Sequence, residues 1–264
     1  FRSGNGGRRR EQSMELRELS LQFSYESKAD DMIQEFYIPV LECAVSYDRI
    51  AGFFSSASLA IAAQGIAALI VNGGHMRLLA SPELSREDGE ILRKSAQGSA
   101  RFFEEKLLDS LEAVSSEFER DHLEALGWML EHGYLELKLV QLLDEDGQQL
   151  FGPEIFHQKI GIITDSRGER LSFSGSINET AMGWLGNIEE FKVFRTWLPG
   201  QAEFVAIDQQ RFEDFWEDRR SYTRVVDLPT AVRERLITYG RQFEPERFVS
   251  RHYCRARKNR QRNG

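Results

Sequence analysis

The sequence predicts an α/β fold: a mixed β-sheet flanked by helices, with a helical insertion. Three observations predict it. First, an apolar run at Arg49–Phe54, an Ala-rich helical stretch and a second apolar run at His75–Ala80 follow one another; strand–helix–strand in that order implies a right-handed parallel unit. Second, strand-like runs near 158–164, 170–174 and 190–197 follow closely on each other, the first two joined by the short turn Ser166-Arg167-Gly168, as expected of antiparallel neighbours. Third, residues 85–93 and 102–132, between the two groups, keep the apolar spacing of helices.

The elements read in order as follows. Residues 1–13 are Gly- and Arg-rich and are expected to be a flexible leader or an appended remnant, with Met14 as the native start. Asp30-Asp31 opens a helical pattern through Ile33, Phe36, Tyr37, Val40, Leu41 and Ala44, little disturbed by Pro39; acids in a first turn suit the helix dipole. Ser58 is expected to cap a helix that reaches Val71, where Asn72-Gly73-Gly74 ends it. The helical insertion covers about 85–132, with a break near Arg120 and a stop at Gly133. Leu135 to Leu143 alternates as a strand, and Asp144-Glu145-Asp146-Gly147 is a turn signal. Residues 202–218 and 230–242 read as helices. These elements assign 14–245 to one domain and 246–264 to a basic tail or linker.

Bulk properties narrow the function. The chain has 264 residues, 41% apolar and 29% charged, ordinary for a globular protein with a sizeable core. No run approaches the roughly 18–20 apolar residues of a membrane span, and the N-terminus lacks the apolar core of a secretory signal, so the expected compartment is the cytoplasm, with no membrane partner. Cys43 and Cys254 are the only cysteines, which excludes a disulfide framework. The net charge is −8, yet residues 1–13 and 251–264 are both basic, so the body between them is strongly acidic. Such a body disfavours broad binding to phosphate backbones and confines any nucleic-acid contact to a cleft, the tails or a partner.

The chemistry concentrates between 157 and 189. His157 and Lys159 alternate at the start of an apolar strand and so share a face. The run Leu171-Ser172-Phe173 delivers the turn Gly175-Ser176-Ile177-Asn178, and Glu189 precedes the run Phe191–Phe194. Together they offer a nucleophile or base, a fixed cation, small hydroxyl and amide donors, and a carboxylate. These groups suffice to attack a phosphodiester without a metal or cofactor. Other candidates have plainer readings. His122 and His132 read as surface or capping residues in a helical region, and His75 follows Gly-Gly at a strand start. The acidic turn at 144–146 reads as solvated, and Trp184, Trp197 and Trp216 as core. For Arg49, a substrate-facing role and a structural salt bridge stay equally open. So do a phosphate-binding arm and a plain linker for the basic tail.

The pattern His157-x-Lys159, Asp165, Gly175-Ser176-x-Asn178 and Glu189 resembles the phospholipase D superfamily, whose hallmark is H-x-K-x4-D followed by G-S-x-N and a later Glu. Five residues separate Lys159 from Asp165, where the pattern has four. Phe36-Tyr37-Ile38-Pro39, Tyr47-Asp48-Arg49, Gly52-Phe53-Phe54, Asn72-Gly73-Gly74 and Phe173–Thr180 are similar to one subgroup, the phospholipase D-like domain at the N-terminus of bacterial DEAD/DEAH-box helicases linked to restriction and phage defence. The resemblance covers about residues 18–240.

It implies a phospholipase D-like fold and a metal-independent phosphodiesterase, foremost a DNA nuclease, with RNA as an open alternative. The implied catalytic residues are His157 as nucleophile, Lys159, Ser176 and Asn178 on the phosphate, and Glu189 orienting His157, with Asp165 largely structural. One motif per chain implies a homodimer in which a second His157 supplies the acid. A linked helicase is the other implied partner. Two further readings stay open. One is a non-catalytic module that positions nucleic acid or a partner for a helicase; the acidic body argues for it. The other is a phospholipase, against which the lack of an amphipathic membrane helix argues.

Overall fold

The computed structural model describes residues 14–82, 84–85, 87–88, 90, 99–150, 159–175 and 190–254. They build a mixed α/β architecture around one sheet. Its centre is β2 (Ala44–Phe53), buried from Tyr47 to Gly52, where both faces of the sheet are covered. On one side β2 pairs in parallel with β3 (His75–Ser81), which pairs in parallel with β4 (Leu135–Leu142). On the other side β2 pairs antiparallel with β5 (Ile160–Asp165), followed by β6 (Arg170–Gly175) and β7 (Glu190–Arg195). Two short strands finish the edges: β1 (Ser24–Glu26) beside β7 and β8 (Thr223–Asp227) beside β4, both antiparallel. The order is β1-β7-β6-β5-β2-β3-β4-β8.

The two halves differ because their connections differ. A turn closed by the Gly168 N–H on the Asp165 carbonyl (3.1 Å) joins β5 to β6, and so short a link forces antiparallel pairing. β2 reaches β3 through α2 (Ser56–Ala62) and α3 (Ile66–Asn72), the long crossover a parallel pair needs. The segment expected as a helical insertion, α4 (Ser99–Glu112) and α5 (Glu117–Glu131), lies between β3 and β4. Leu123, Ala125, Leu126 and Met129 of α5 belong to the main core, so α5 also serves as the crossover that makes β3 and β4 parallel.

The main core lies between one sheet face and α1 (Ile38–Cys43), α2, α3, α5 and α7 (Thr230–Gly240). A smaller core lies on the opposite face, where Phe212, Phe215 and Trp216 of α6 (Ala202–Trp216) cover Ile50, Leu79, Val140, Ile160 and Ile162. Period-two alternation sorts β5 between them: Ile160 and Ile162 face α6, while Gly161 and Ile163 face the main core.

Several boundaries differ from the sequence reading. The helix expected from Asp30 to Ala44 starts as a π-helix at Ile33 and becomes α1 at Ile38, with Pro39 in the first α turn. The strand begins at Ala44, earlier than Arg49. The helix expected from Ser58 to Val71 is two helices. Ser55 caps the first by accepting the Ser58 N–H (3.2 Å), and Gly65, at φ 73°, breaks the run. The later break falls at 113–116, where Ser116 caps α5, ahead of Arg120. Beyond 245, where the sequence suggests a tail, the chain continues as α8 (Pro245–Val249) and a π-helix (Ser250–Cys254), with Phe248 buried in the main core.

Candidate functional site at one end of the sheet

The strand directions define two sheet ends. The carboxyl ends of β2, β3, β4 and β6 meet the amino ends of β5, β7 and β8 at one of them. Lys159 directly precedes β5, Gly175 ends β6 and Glu190 starts β7. Ile160 opposes Ser174 and Gly175 opposes Phe191, so these three chain segments lie side by side. At about 4.8 Å per strand spacing they fall within roughly 10 Å. His157, Ser176, Asn178 and Glu189 lie outside the described residues, but each is within three residues of Lys159, Gly175 or Glu190.

Lys159 is buried and by alternation takes the main-core face. Gly175 is required by close approach: a Cβ there would lie 2.1 Å from the Glu190 carbonyl oxygen and 2.6 Å from the Phe191 Cα. Any side chain at that position would push β6 and β7 apart at the end of β6. Glu190 accepts from Ser24 Oγ (3.1 Å) and pairs with Lys192. The Lys192 ammonium, then Ser24, holds its carboxyl below the usual range. Arg49 is buried on β2, its guanidinium 5.1 Å from the Phe173 ring centroid.

Asp165 sits at the other end of β5, six residues from Lys159, or about 20 Å along a strand. Its Oδ1 accepts the N–H groups of Arg167 (2.9 Å) and Glu169 (3.0 Å), and its Oδ2 accepts that of Leu16 (3.2 Å). It therefore organises the β5–β6 turn and ties down the N-terminal segment. His75 starts β3, also at the far end, and faces Glu136 at 3.4 Å. His132 caps α5, with Nδ1 2.8 Å from the Trp128 carbonyl. Trp216 is buried as expected of a core residue, and Trp184 lies outside the described residues.

His122 corrects the reading of a surface residue: it is buried, its Nδ1 is 2.8 Å from the Phe118 carbonyl, and burial pushes it down to about 4. It belongs to a cluster with no signal in local sequence. The Asp121 carboxylate accepts from Arg251 Nη1 (2.5 Å) and lies 2.9 Å from His252 Nε2, while the His122 and His252 rings are 5.0 Å apart. Burial works against the Asp121 charge, but His252 and Arg251 outweigh it and hold the carboxyl below the ordinary range. A half-open cavity of about 190 Å³ adjoins the cluster, lined in part by Arg120, Glu124, Phe243 and Arg247. A second polar network joins Arg77 to Asp48 (2.7 Å) and Glu213 (2.7 Å) under α6. Among the described residues no group of three or more His, Cys, Asp or Glu could hold a metal. No helix among them is long and apolar enough to cross a membrane.

No family model and no curated protein matches the sequence. Among solved structures, the chain is similar to Nuc from Salmonella typhimurium, described as a phospholipase D family member, at 13% identity and a TM-score of 0.41 over 78% of this chain and 97% of that one. It is also similar to phosphatidylserine synthase from Haemophilus influenzae Rd KW20, at 15% identity and a TM-score of 0.42 over 83% of this chain and 45% of that one. Both likenesses are low, and the residues of this chain carry the functional reading by themselves.

Proposed function

We propose that the chain is a metal-independent phosphodiesterase of the phospholipase D type, acting as a nuclease on DNA. One observation carries this reading. Three successive chain segments, ending or starting at Lys159, Gly175 and Glu190, lie side by side on three adjacent strands at one sheet end. Each of them leads within three residues into a motif position: His157, Ser176 with Asn178, and Glu189.

The chemistry balances with these groups alone. A ring nitrogen of neutral His157 attacks phosphorus, a P–N bond forms, and the P–O bond to the leaving alcohol breaks. The leaving oxygen takes a proton from an imidazolium, supplied by His157 of a second copy. Water then attacks the phosphohistidine and gives its proton to that second imidazole, and the P–N bond breaks. Lys159, Ser176 and Asn178 face the non-bridging oxygens, where charge spreads in the transition state. Glu189 fixes the tautomer of His157. The two-copy requirement makes a two-fold dimer part of the proposal, and a linked helicase with a role in restriction or phage defence is its biological setting.

The test is cleavage of plasmid and oligonucleotide DNA in excess EDTA by wild type and His157→Ala. Cleavage that survives EDTA and disappears in the variant is expected. The acidic body favours a second reading, a module that binds a partner or nucleic acid without cutting it. Intact DNA with both proteins would overturn the nuclease reading and leave this one standing. Sedimentation at micromolar concentration should show a dimer.

A further inference from the structure

Arg49 is a side chain the proposed chemistry does not use. It is 1% exposed, and its surroundings are specific. Arg49 of β2, Gly161 of β5 and Phe173 of β6 stand in one cross-strand row, Arg49 opposite Gly161 and Gly161 opposite Phe173. The middle of the row is emptied by the glycine: a Cβ on Gly161 would lie 2.1 Å from Phe173 Cζ and 2.2 Å from Cε1. The Phe173 ring lies across that gap, and the guanidinium sits 5.1 Å from its centroid. Phe36 and Tyr37 meet the ring edge-on at 5.1 Å and 5.7 Å, and Phe191 tilts against it at 5.3 Å, so the platform is fixed. Two residues along β5 on the same face, about 7 Å away, stands Lys159, beside Gly175.

An arginine cannot lose its proton under a second cation, as a buried lysine can. A guanidinium is less strongly hydrated than an ammonium and stacks on an aromatic face. The row thus holds a permanent positive charge on the same sheet face as Lys159, two residues along the strands from Lys159 and Gly175.

We propose that Arg49 is a positioning residue of the phosphodiester site: held by the Gly161 gap and the Phe173 ring, its fixed charge supplements Lys159 in holding an oxyanion without touching it. This rests on the phosphodiesterase reading. It assigns to a buried core arginine a role in anion affinity, which a purely structural arginine lacks.

The experiment measures inhibition of EDTA-resistant cleavage by orthovanadate, together with kcat/KM, in mildly acidic buffer, for wild type, Lys159→Ala, Arg49→Met, Arg49→Gln and Arg49→Lys, each checked for folding by thermal unfolding. Neutral variants that fold should bind vanadate about tenfold more weakly and lose a similar factor in kcat/KM, while Arg49→Lys stays within about threefold of wild type. Folded neutral variants with wild-type vanadate affinity overturn the proposal and leave the phosphodiesterase reading intact. If neither neutral variant folds, the pH profile of Arg49→Lys decides: affinity within about threefold of wild type at the acid end, where a buried lysine regains its charge, supports the role of charge, and a tenfold loss at every pH overturns it. A wild type that neither cleaves nor responds to vanadate removes both proposals together.

Discussion

Two polar regions of this protein invite comparison. The first is the cluster of Asp121, His122, Arg251 and His252 beside a cavity of about 190 Å³. The second is the sheet end at Lys159, Gly175 and Glu190. By residue type the first looks more like an active site, with two imidazoles, a carboxylate, a guanidinium and a displaced pKa. Yet its polar groups face fixed protein partners. Asp121 receives Arg251 and His252, His122 faces the Phe118 carbonyl, and the group fastens the C-terminal π-helix onto α5. At the sheet end, three strand ends instead lie side by side at Lys159, Gly175 and Glu190. An inventory of side chains alone does not separate chemistry from architecture.

The comparison breaks most directly by exchanging losses. Lys159→Ala should lower kcat for EDTA-resistant cleavage by about 10²–10³-fold, with far-ultraviolet dichroism unchanged. His252→Ala should leave kcat within about twofold and lower the unfolding temperature. A His252→Ala protein that is fully stable but inactive would reverse the roles assigned to the two regions. Next in size, Asp165→Ala leaves three backbone N–H groups without their acceptor and should cost about 2–4 kcal/mol in a urea titration. Cleavage by the folded fraction should remain, because Asp165 lies at the opposite sheet end from Lys159.

A pH titration sharpens the first region. His122 stays neutral when folded down to about 4, against an ordinary value of 6.5. The unfolded chain therefore binds the extra proton first. The contribution is intact above about pH 6.5 and is lost as pH falls toward 4, amounting to about 3 kcal/mol. His122→Gln should flatten that part of the stability curve; an unchanged slope would show that His122 is not the group responsible. The smallest effect concerns Cys43, whose thiol is buried and pushed up to about 12. It should resist iodoacetamide at neutral pH in the native state and react once the chain is unfolded; rapid native labelling at Cys43 would contradict its placement.

Much of the fold was legible from sequence where local pattern and tertiary demand agree. β4, β6 and β7 alternate and are bounded by turn residues, and β2 to β3 reads as a parallel unit because a long helical stretch separates two apolar runs. β1 and β8 were not legible: strands of three and five residues owe their state to partners far along the chain. The split of α2 from α3 was hidden because Gly65 reads as one small residue among alanines. In the candidate site the spacing tied Lys159 to Gly175, and the strand register sets their segments side by side. The spacing also drew Asp165 into the same pattern, although a strand separates it from Lys159. A linear motif does not distinguish residues that share a site from residues that share a strand. Arg49 was ambiguous because its meaning lies in Gly161 and Phe173, more than 100 residues downstream.

The pairing of β1 with β7 bears on how the chain is made. Ser24 and Glu190 touch across 166 residues. At roughly 5–20 residues per second of synthesis, the N-terminal segment waits on the order of ten seconds or more for its partner to emerge. The parallel β2–β3 unit is complete long before then, with the β2 edge waiting for β5. Three residues make a poor template for a stray strand, so the brevity of β1 keeps that segment from offering a sticky edge of its own while it waits for β7.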